Sequence, residues 1–302
     1  MTPVSRVAGL LTGRVTDASY AAGWALVRGM PEPAARRLFD AGADLAARRG
    51  GKGVEQLRRN LERVAPGEDL VREALRSYAR YWCEAFRLPS IPADRLVTGT
   101  TTEGEPAVRA LLGSGRGVVL ALPHTGNWDA AGAWFTTTGV RFTTVAERLK
   151  PESLYARFVA FRESLGMEVL PLTGGERSPY DVMVERLEAG RALCLLGDRD
   201  LTPRGVDVTF FGARTRMPAG PARLALQTGA ALVPVTLSFE GPRGWRIVFH
   251  PEVPSTDLGT MTQGMADGFA AGIAEHPADW HMLQRLWLDD LADDDPRKAP
   301  TG

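Results

Sequence analysis

The sequence predicts an α/β fold: a mostly parallel central sheet flanked by helices, preceded by an N-terminal helical arm. Two observations predict the two parts. From about residue 94 onward, short apolar runs of strand length alternate with amphipathic stretches, the texture of βαβ units. Before that point apolar residues recur every three or four positions, which is the helical period.

In order, the arm reads as helices over about 4–28, 33–48, 53–64 and 68–87. Pro31 and Pro33, the G-G-K-G of 50–53 and the P-G of 66–67 separate them, because these residues punctuate a helical pattern. The strands follow as V-V-L-A-L (118–122), F-T-T-V-A (142–146), E-V-L-P-L (168–172), A-L-C-L-L (192–196), A-L-V-P-V-T-L-S-F (231–239) and W-R-I-V-F (245–249). Amphipathic stretches at 127–138, 151–165, 178–189 and 217–228 lie between them, and helices near 260–287 close the chain. The expected organisation is an arm over 1–92, packing on the core and contacting membrane, and an α/β core over 93–302, continuous with it.

Composition narrows the function. An apolar content of 44% over 302 residues supports a sizeable core. A formal net charge of zero lacks the basic excess that nucleic acid would demand. Charge is uneven, however: residues 1–65 carry eleven Lys and Arg against six Asp and Glu, a net of +5. Cys83 and Cys194 are far apart and form no C-x-x-C pair, so they are expected to be free thiols in a reducing compartment. Arg14, Asp17 and Arg28 interrupt the apolar N-terminus, which leaves no run of the roughly 20 residues a spanning helix needs and no clean signal peptide.

The polar residues with most to explain sit in H-T-G-N-W-D (124–129), directly after the first core strand. Sites in α/β sheets form where strands end and helices begin. A helix starting near Gly126 or Asn127 would put Asp129 in its first turn, able to turn back to the imidazole of His124. That pair would make a base with an orienting carboxylate. No G-x-S-x-G supplies a nucleophile, so the pair suits activation of a substrate hydroxyl. The plain alternative is a helix cap by Asn127 or Asp129, with His124 satisfying a backbone carbonyl.

H-T-G-N-W-D matches the H-x4-D motif, and further segments accompany it. They are E-R-L-K-P (147–151), F-R-E-S-L-G-M (161–167), G-D-R-D-L (197–201), V-T-F-F-G (208–212) and M-P-A-G-P-A-R-L-A-L-Q-T-G-A-A-L-V-P-V (217–235). R-R-N-L-E-R-V (58–64) and R-S-Y-A-R-Y-W (76–82) extend the set into the arm. Together they resemble the lysophospholipid acyltransferase superfamily, in the branch that contains bacterial lipid A late acyltransferases and actinobacterial phosphatidylinositol mannoside acyltransferases. The resemblance implies His124 as general base with Asp129. It also implies acyl-CoA as co-substrate, with no cofactor, and a membrane-embedded acceptor; no second His, Cys pair or H-E-x-x-H accompanies His124, so no metal is expected. Where the glycerol-phosphate branch has a Gly-Thr-Arg motif, this chain has G-D-R-D. Acids there would repel a phosphate but could bind sugar hydroxyls, which favours a glycolipid acceptor.

Other polar residues are candidates beside the pair. Arg162, Arg199 and Arg204 could hold donor phosphates, since guanidinium groups bind them bidentately, although a solvated surface role is the plain alternative. Glu147, Asp198 and Asp200 could bind acceptor hydroxyls or support His124, or cap a loop. Gln227 is a weaker ligand candidate in an otherwise apolar helix. His250, His276 and His281 read as structural, and Phe210, Phe211 and the tryptophans as core. The expected enzyme sits on the cytoplasmic side of the cell membrane, attached to the anionic inner leaflet by the positive arm. Three rivals remain open: a lipid A-type late acyltransferase using acyl carrier protein or acyl-CoA, a hydrolase activating water with the same pair, and a membrane-binding protein without catalysis.

Overall fold

In the computed structural model, residues 23–147, 152–200, 205–293 and 295–298 are described. The arm's helical period is realised as α1 (23–29), α2 (Glu32–Arg49), α3 (Lys52–Val64) and α4 (Val71–Arg87). The apolar N-terminal stretch at 7–11 and its arginines lie outside the described residues. Pro31 caps α2, and Gly51 (φ 128°) breaks the chain before α3, a backbone angle that favours glycine. Leu57, Leu61, Val71, Ala74 and Leu75 form the arm's small core.

A short helix α5 (Ala93–Thr98) leads to strand β1 (Thr100–Glu103), and α6 (Glu105–Gly113) follows. Alternation then proceeds as expected through β2 (Val118–Leu122), α7 (Trp128–Thr137), β3 (Phe142–Ala146), α8 (Glu152–Ser164), β4 (Glu168–Pro171), α9 (Pro179–Glu188) and β5 (Ala192–Leu196). A hairpin of β6 (Val206–Phe210) and β7 (Ala213–Met217) intervenes before α10 (Gly220–Thr228), β8 (Ala231–Glu240), β9 (Gly244–Phe249) and α11 (Leu258–Glu275). Among the described residues no helix is long and apolar enough to cross a membrane.

Seven strands form one sheet in the order β1-β9-β8-β2-β5-β3-β4, parallel except for the β8–β9 pair. Strand β2 alternates cleanly. Val119 and Ala121 enter one core with residues of α9, α10 and α11, while Val118, Leu120 and Leu122 enter the other with residues of α7 and α8. Covering both faces is what a parallel sheet requires. Each leucine so buried contributes about 2–3 kcal/mol.

The β1–α6 unit and the hairpin are absent from the sequence expectation. T-T-T-E is short, polar and mostly exposed, so it carries no apolar run to read. The hairpin did carry a signal: Val206, Val208 and Phe210, then Ala213, Thr215 and Met217, alternate with polar residues around a two-residue turn. Phe211 (φ 47°) and Gly212 (φ 74°) give that turn two positive φ angles, as in the tight hairpins that match strand twist.

Candidate active site

Strands β2 and β5 are neighbours, with Leu122 opposite Leu196. His124 and Asp198 each follow those residues by two positions, so parallel register brings them side by side at the C-terminal edge of the sheet. The N–H of Gly197 donates to the carbonyl of Leu122 at 2.8 Å and extends the ladder beyond the strand ends. This is the edge where ligands bind in open α/β sheets.

His124 Nδ1 lies 2.6 Å from Asp198 Oδ1, and the His124 backbone N–H donates to Asp198 Oδ2 at 2.9 Å. The Trp280 indole N–H donates to the same Oδ2 at 3.1 Å. Asp198 is fully buried. Burial pushes its carboxyl up, but the charge and hydrogen bonds of His124 and the indole donor outweigh this and hold it below its ordinary value. An ionised carboxylate can only accept, so Nδ1 carries the proton and Nε2 holds the lone pair. The arrangement can take a proton at Nε2 while the carboxylate stabilises the resulting imidazolium.

Asp129 does not serve that pair, contrary to expectation. Asn127, the N-cap of α7, accepts the Ala130 N–H at 2.9 Å. Asp129 sits in the first turn, as the sequence indicates, but its carboxylate is bonded elsewhere. Its Oδ1 accepts from Arg162 Nε at 2.8 Å and its Oδ2 from the Tyr81 hydroxyl at 3.0 Å. The physical reason is helix geometry: Asp129 is turned toward α4 and α8, whose Tyr81 and Arg162 supply two donors to a buried carboxylate. The charge of Asp129 raises the Arg162 guanidinium pKa against burial, and burial raises that of Tyr81 well above its ordinary value.

The turn before α7 is pinned. Gly126 (φ 52°) lies so close to β8 that a Cβ there would come within 2.9 Å of the Leu237 carbonyl carbon. Thr125 Oγ1 accepts the Leu237 N–H at 3.1 Å. On its other side Asn127 Nδ2 donates at 3.0 Å to Glu84 of α4, a buried carboxylate that also accepts from Arg36, Arg80 and the Trp245 indole.

Beside the pair lies a narrow apolar cavity, partly open to solvent, within the sheet face that α7 and α8 cover. Leu120, Phe135, Phe142, Cys194 and Phe249 are among its walls, and Trp128, Asp129 and Arg162 add its polar groups. The His124 ring meets Trp128 edge-on at 5.6 Å, so the cavity adjoins the imidazole through that indole. The Cys194 thiol, whose pKa burial pushes up, faces this apolar space, and both cysteines are free.

The other expected site residues divide. Asp200 is buried, with its carboxylate against the backbone of Gly205. Arg199 is half-buried and donates to Gln284 Oε1. Glu147 follows β3 and is exposed. Gln227 is exposed on α10 and accepts from the Tyr180 hydroxyl at 2.8 Å, apart from the His124 cluster. Arg204 lies outside the described residues. Sequence reasoning missed Tyr81 and Trp280, which read as ordinary aromatic core; their polar tips find partners only across the fold.

Comparison with known proteins agrees with this architecture. Residues 8–289 match the family model for bacterial lipid A biosynthesis acyltransferase. The chain is 57% identical over 300 residues to a phosphatidylinositol mannoside acyltransferase of Mycolicibacterium smegmatis, covering 97% of each. It is 53% identical over 293 residues to one of Mycobacterium tuberculosis, covering 94% of this chain and 92% of the relative. With its α/β sheet, its helical N-terminal region and a match spanning nearly its whole length, the chain is an acyltransferase and belongs to the bacterial lipid A biosynthesis acyltransferase family.

Proposed function

We propose that this enzyme moves a long fatty acyl chain from acyl-CoA to a hydroxyl of a phosphatidylinositol mannoside at an anionic membrane surface. His124 is the general base and Asp198 its partner. The observation that carries the reading is the 2.6 Å contact between His124 Nδ1 and Asp198 Oδ1 at the mouth of two strands, next to an apolar cavity. The acceptor class comes from the names of the two relatives.

In this reading the acyl chain occupies the cavity and its thioester carbonyl lies near His124. Nε2 takes the proton of the sugar hydroxyl as its oxygen attacks the carbonyl carbon. General-base help of this kind is typically worth about 10²–10⁴-fold. The oxyanion is met by the first-turn N–H groups of α7 that precede Ala130, whose own N–H is taken by the Asn127 cap. Collapse breaks the carbon–sulfur bond. The thiolate, with a thiol pKa near about 8.5, leaves and takes up the proton held by His124.

Membrane attachment is supported by charge sorting on α2. Glu32 pairs with Arg95, and Asp44 with Arg72 and Arg76, so two of its acids are neutralised by neighbouring elements. Leu38 (55% exposed) and Leu45 (45%) face outward, one face of the helix shared with the exposed Arg37, Arg48 and Arg49. Apolar insertion flanked by cations fits an anionic bilayer.

The test is His124→Ala, assayed with palmitoyl-CoA and a panel of lipid acceptors by mass spectrometry. Turnover falls by at least about 10²-fold while acyl-CoA still binds, and wild type yields acylated mannoside rather than free fatty acid. A folded His124→Ala with near-normal turnover refutes the general-base assignment; free fatty acid as the main product refutes the transfer.

A further inference from the structure

We infer that Trp280 is a positioning residue of the His124–Asp198 pair, its indole N–H fixing one carboxylate oxygen so that the other stays aimed at the imidazole. The inference rests on the general-base reading above. Nothing in an aspartate side chain itself decides the rotation of its carboxylate, because that torsion is broad and roughly two-fold. In Asp198 the two oxygens are distinguished from outside: Oδ1 faces His124 Nδ1, while Oδ2 accepts the His124 backbone N–H and the Trp280 indole.

Trp280 is itself held. It is fully buried, with Phe210 at 5.9 Å and Trp287 at 6.0 Å between ring centroids. Its backbone bridges Thr125, its neighbour Asp279 accepts the Gly126 N–H at 2.9 Å, and its other neighbour His281 donates to the His124 carbonyl at 2.8 Å. The tripeptide 279–281 therefore grips the His124 loop by its backbone and Asp198 by an indole. Ser77 of α4 ties it in turn, donating to Asp279 Oδ1 at 2.6 Å and lying 3.0 Å from His281 Nε2. A phenylalanine keeps an aromatic ring in the packing, at the cost of a small cavity that Trp287→Phe shares, but has no donor.

The donor also has an electrostatic effect. An N–H aimed at the carboxylate favours the pair in its net negative state over the state in which His124 has taken a proton. Removing it raises the pair's proton affinity. Among the described residues, the other titratable or charged groups around the pair include Asp279 and His281 on either side of Trp280, and Arg199 and Asp200, which follow Asp198 in the chain; none changes in the test.

The experiment compares Trp280→Phe with Trp287→Phe in the full-length enzyme. Trp287 is as deeply buried, but its indole donates to the Phe210 carbonyl at 2.9 Å and does not touch Asp198. In Trp280→Phe the plateau kcat falls about 10- to 100-fold with KM little changed. The acid limb of its pH profile moves up by roughly half a unit or more. In Trp287→Phe the limb stays in place. A Trp280→Phe enzyme with the wild-type plateau and limb, or a loss matched by Trp287→Phe without a limb shift, overturns the inference. If Trp280→Phe does not fold, ¹⁵N-tryptophan-labelled wild type decides: one indole resonance follows the midpoint of the acid limb and ceases to titrate in Asp198→Asn. No such resonance overturns the inference. Failure of the general-base reading shows separately, as activity surviving in His124→Ala.

Discussion

Replacing Asp198 with asparagine changes one oxygen to an amide, and the geometry says which way that amide must turn. Asp198 Oδ2 receives two N–H groups, from the His124 backbone and from Trp280, whereas Oδ1 meets only the imidazole. An asparagine satisfies both fixed donors by placing its single oxygen at the Oδ2 position. Its NH₂ then faces His124 Nδ1 and forces the lone pair onto that nitrogen. The proton moves to Nε2, and the base points the wrong way. The same substitution in a serine-protease triad costs about 10⁴-fold through the wrong tautomer. For this chain the expected loss in kcat is about 10³–10⁴-fold, or about 4–5.5 kcal/mol of transition-state stabilisation. The assay is CoA release coupled to a thiol reagent, with mass spectrometry of the acylated lipid. Asp129→Asn gives a contrasting signature. It weakens the carboxylate partner of a buried guanidinium, and breaking such a pair costs stability, up to about 3–5 kcal/mol when the partner is removed outright. Its damage therefore appears chiefly in thermal unfolding. The reasoning is refuted if Asp198→Asn keeps more than about a tenth of wild-type kcat while a folded Asp129→Asn is the catalytically dead variant.

Three further outcomes are expected. Gly132 on α7 lines the cavity, and a Cβ there meets the Met167 methyl at 2.6 Å and the Phe142 ring at 3.0 Å. Gly132→Val should therefore shift preference toward shorter acyl-CoA donors in competition assays, and an unchanged chain-length profile counts against the cavity as the acyl site. Leu38→Glu with Leu45→Glu should reduce co-sedimentation with anionic vesicles. Wild-type binding should fall as salt shortens the Debye length to about 3 Å at 1 M; binding indifferent to both changes counts against α2. His281 is held neutral, its pKa brought down to about 3 by burial and then by the nearby His124. The unfolded chain takes up that proton near pH 6.5, so the contribution is complete above that pH and is lost as pH falls toward 3. Between pH 7.5 and 5.5 this removes about 1.4 kcal/mol of folding stability. Denaturant unfolding of a His281→Gln variant should show a correspondingly flatter pH dependence.

Outside the β1–α6 unit and the β6–β7 hairpin, the strands and helices of the core were legible in the sequence because each has an unbroken periodicity: Val118 to Leu122 is wholly buried, and it reads so without any partner. His124 was legible because it follows the end of that run at Pro123. Its partner was harder to see. Asp129 is five residues away and Asp198 is 74 residues away, and only the pairing of β2 with β5 rather than β3 decides between them. Strand order is a property of the assembled sheet. The residue offsets held a clue, since both His124 and Asp198 come two positions after an apolar strand. Trp280 left no clue, because a buried indole looks the same in sequence whether its N–H meets a backbone carbonyl or a carboxylate.

The buried Glu84 has a consequence for how the chain is made. Its partners Arg36 and Arg80 belong to the arm, but Asn127 comes 43 residues later and Trp245 161 residues later. A ribosome adding about 5–20 residues per second needs roughly 8–30 s to go from Glu84 to Trp245. Throughout that interval the nascent arm carries a carboxylate whose last donor does not yet exist, so it reaches its finished packing only after β9 has emerged. Slowing translation between β2 and β9 should therefore lengthen the arm's exposure to chaperones and proteases, whereas slowing it beyond β9 should not.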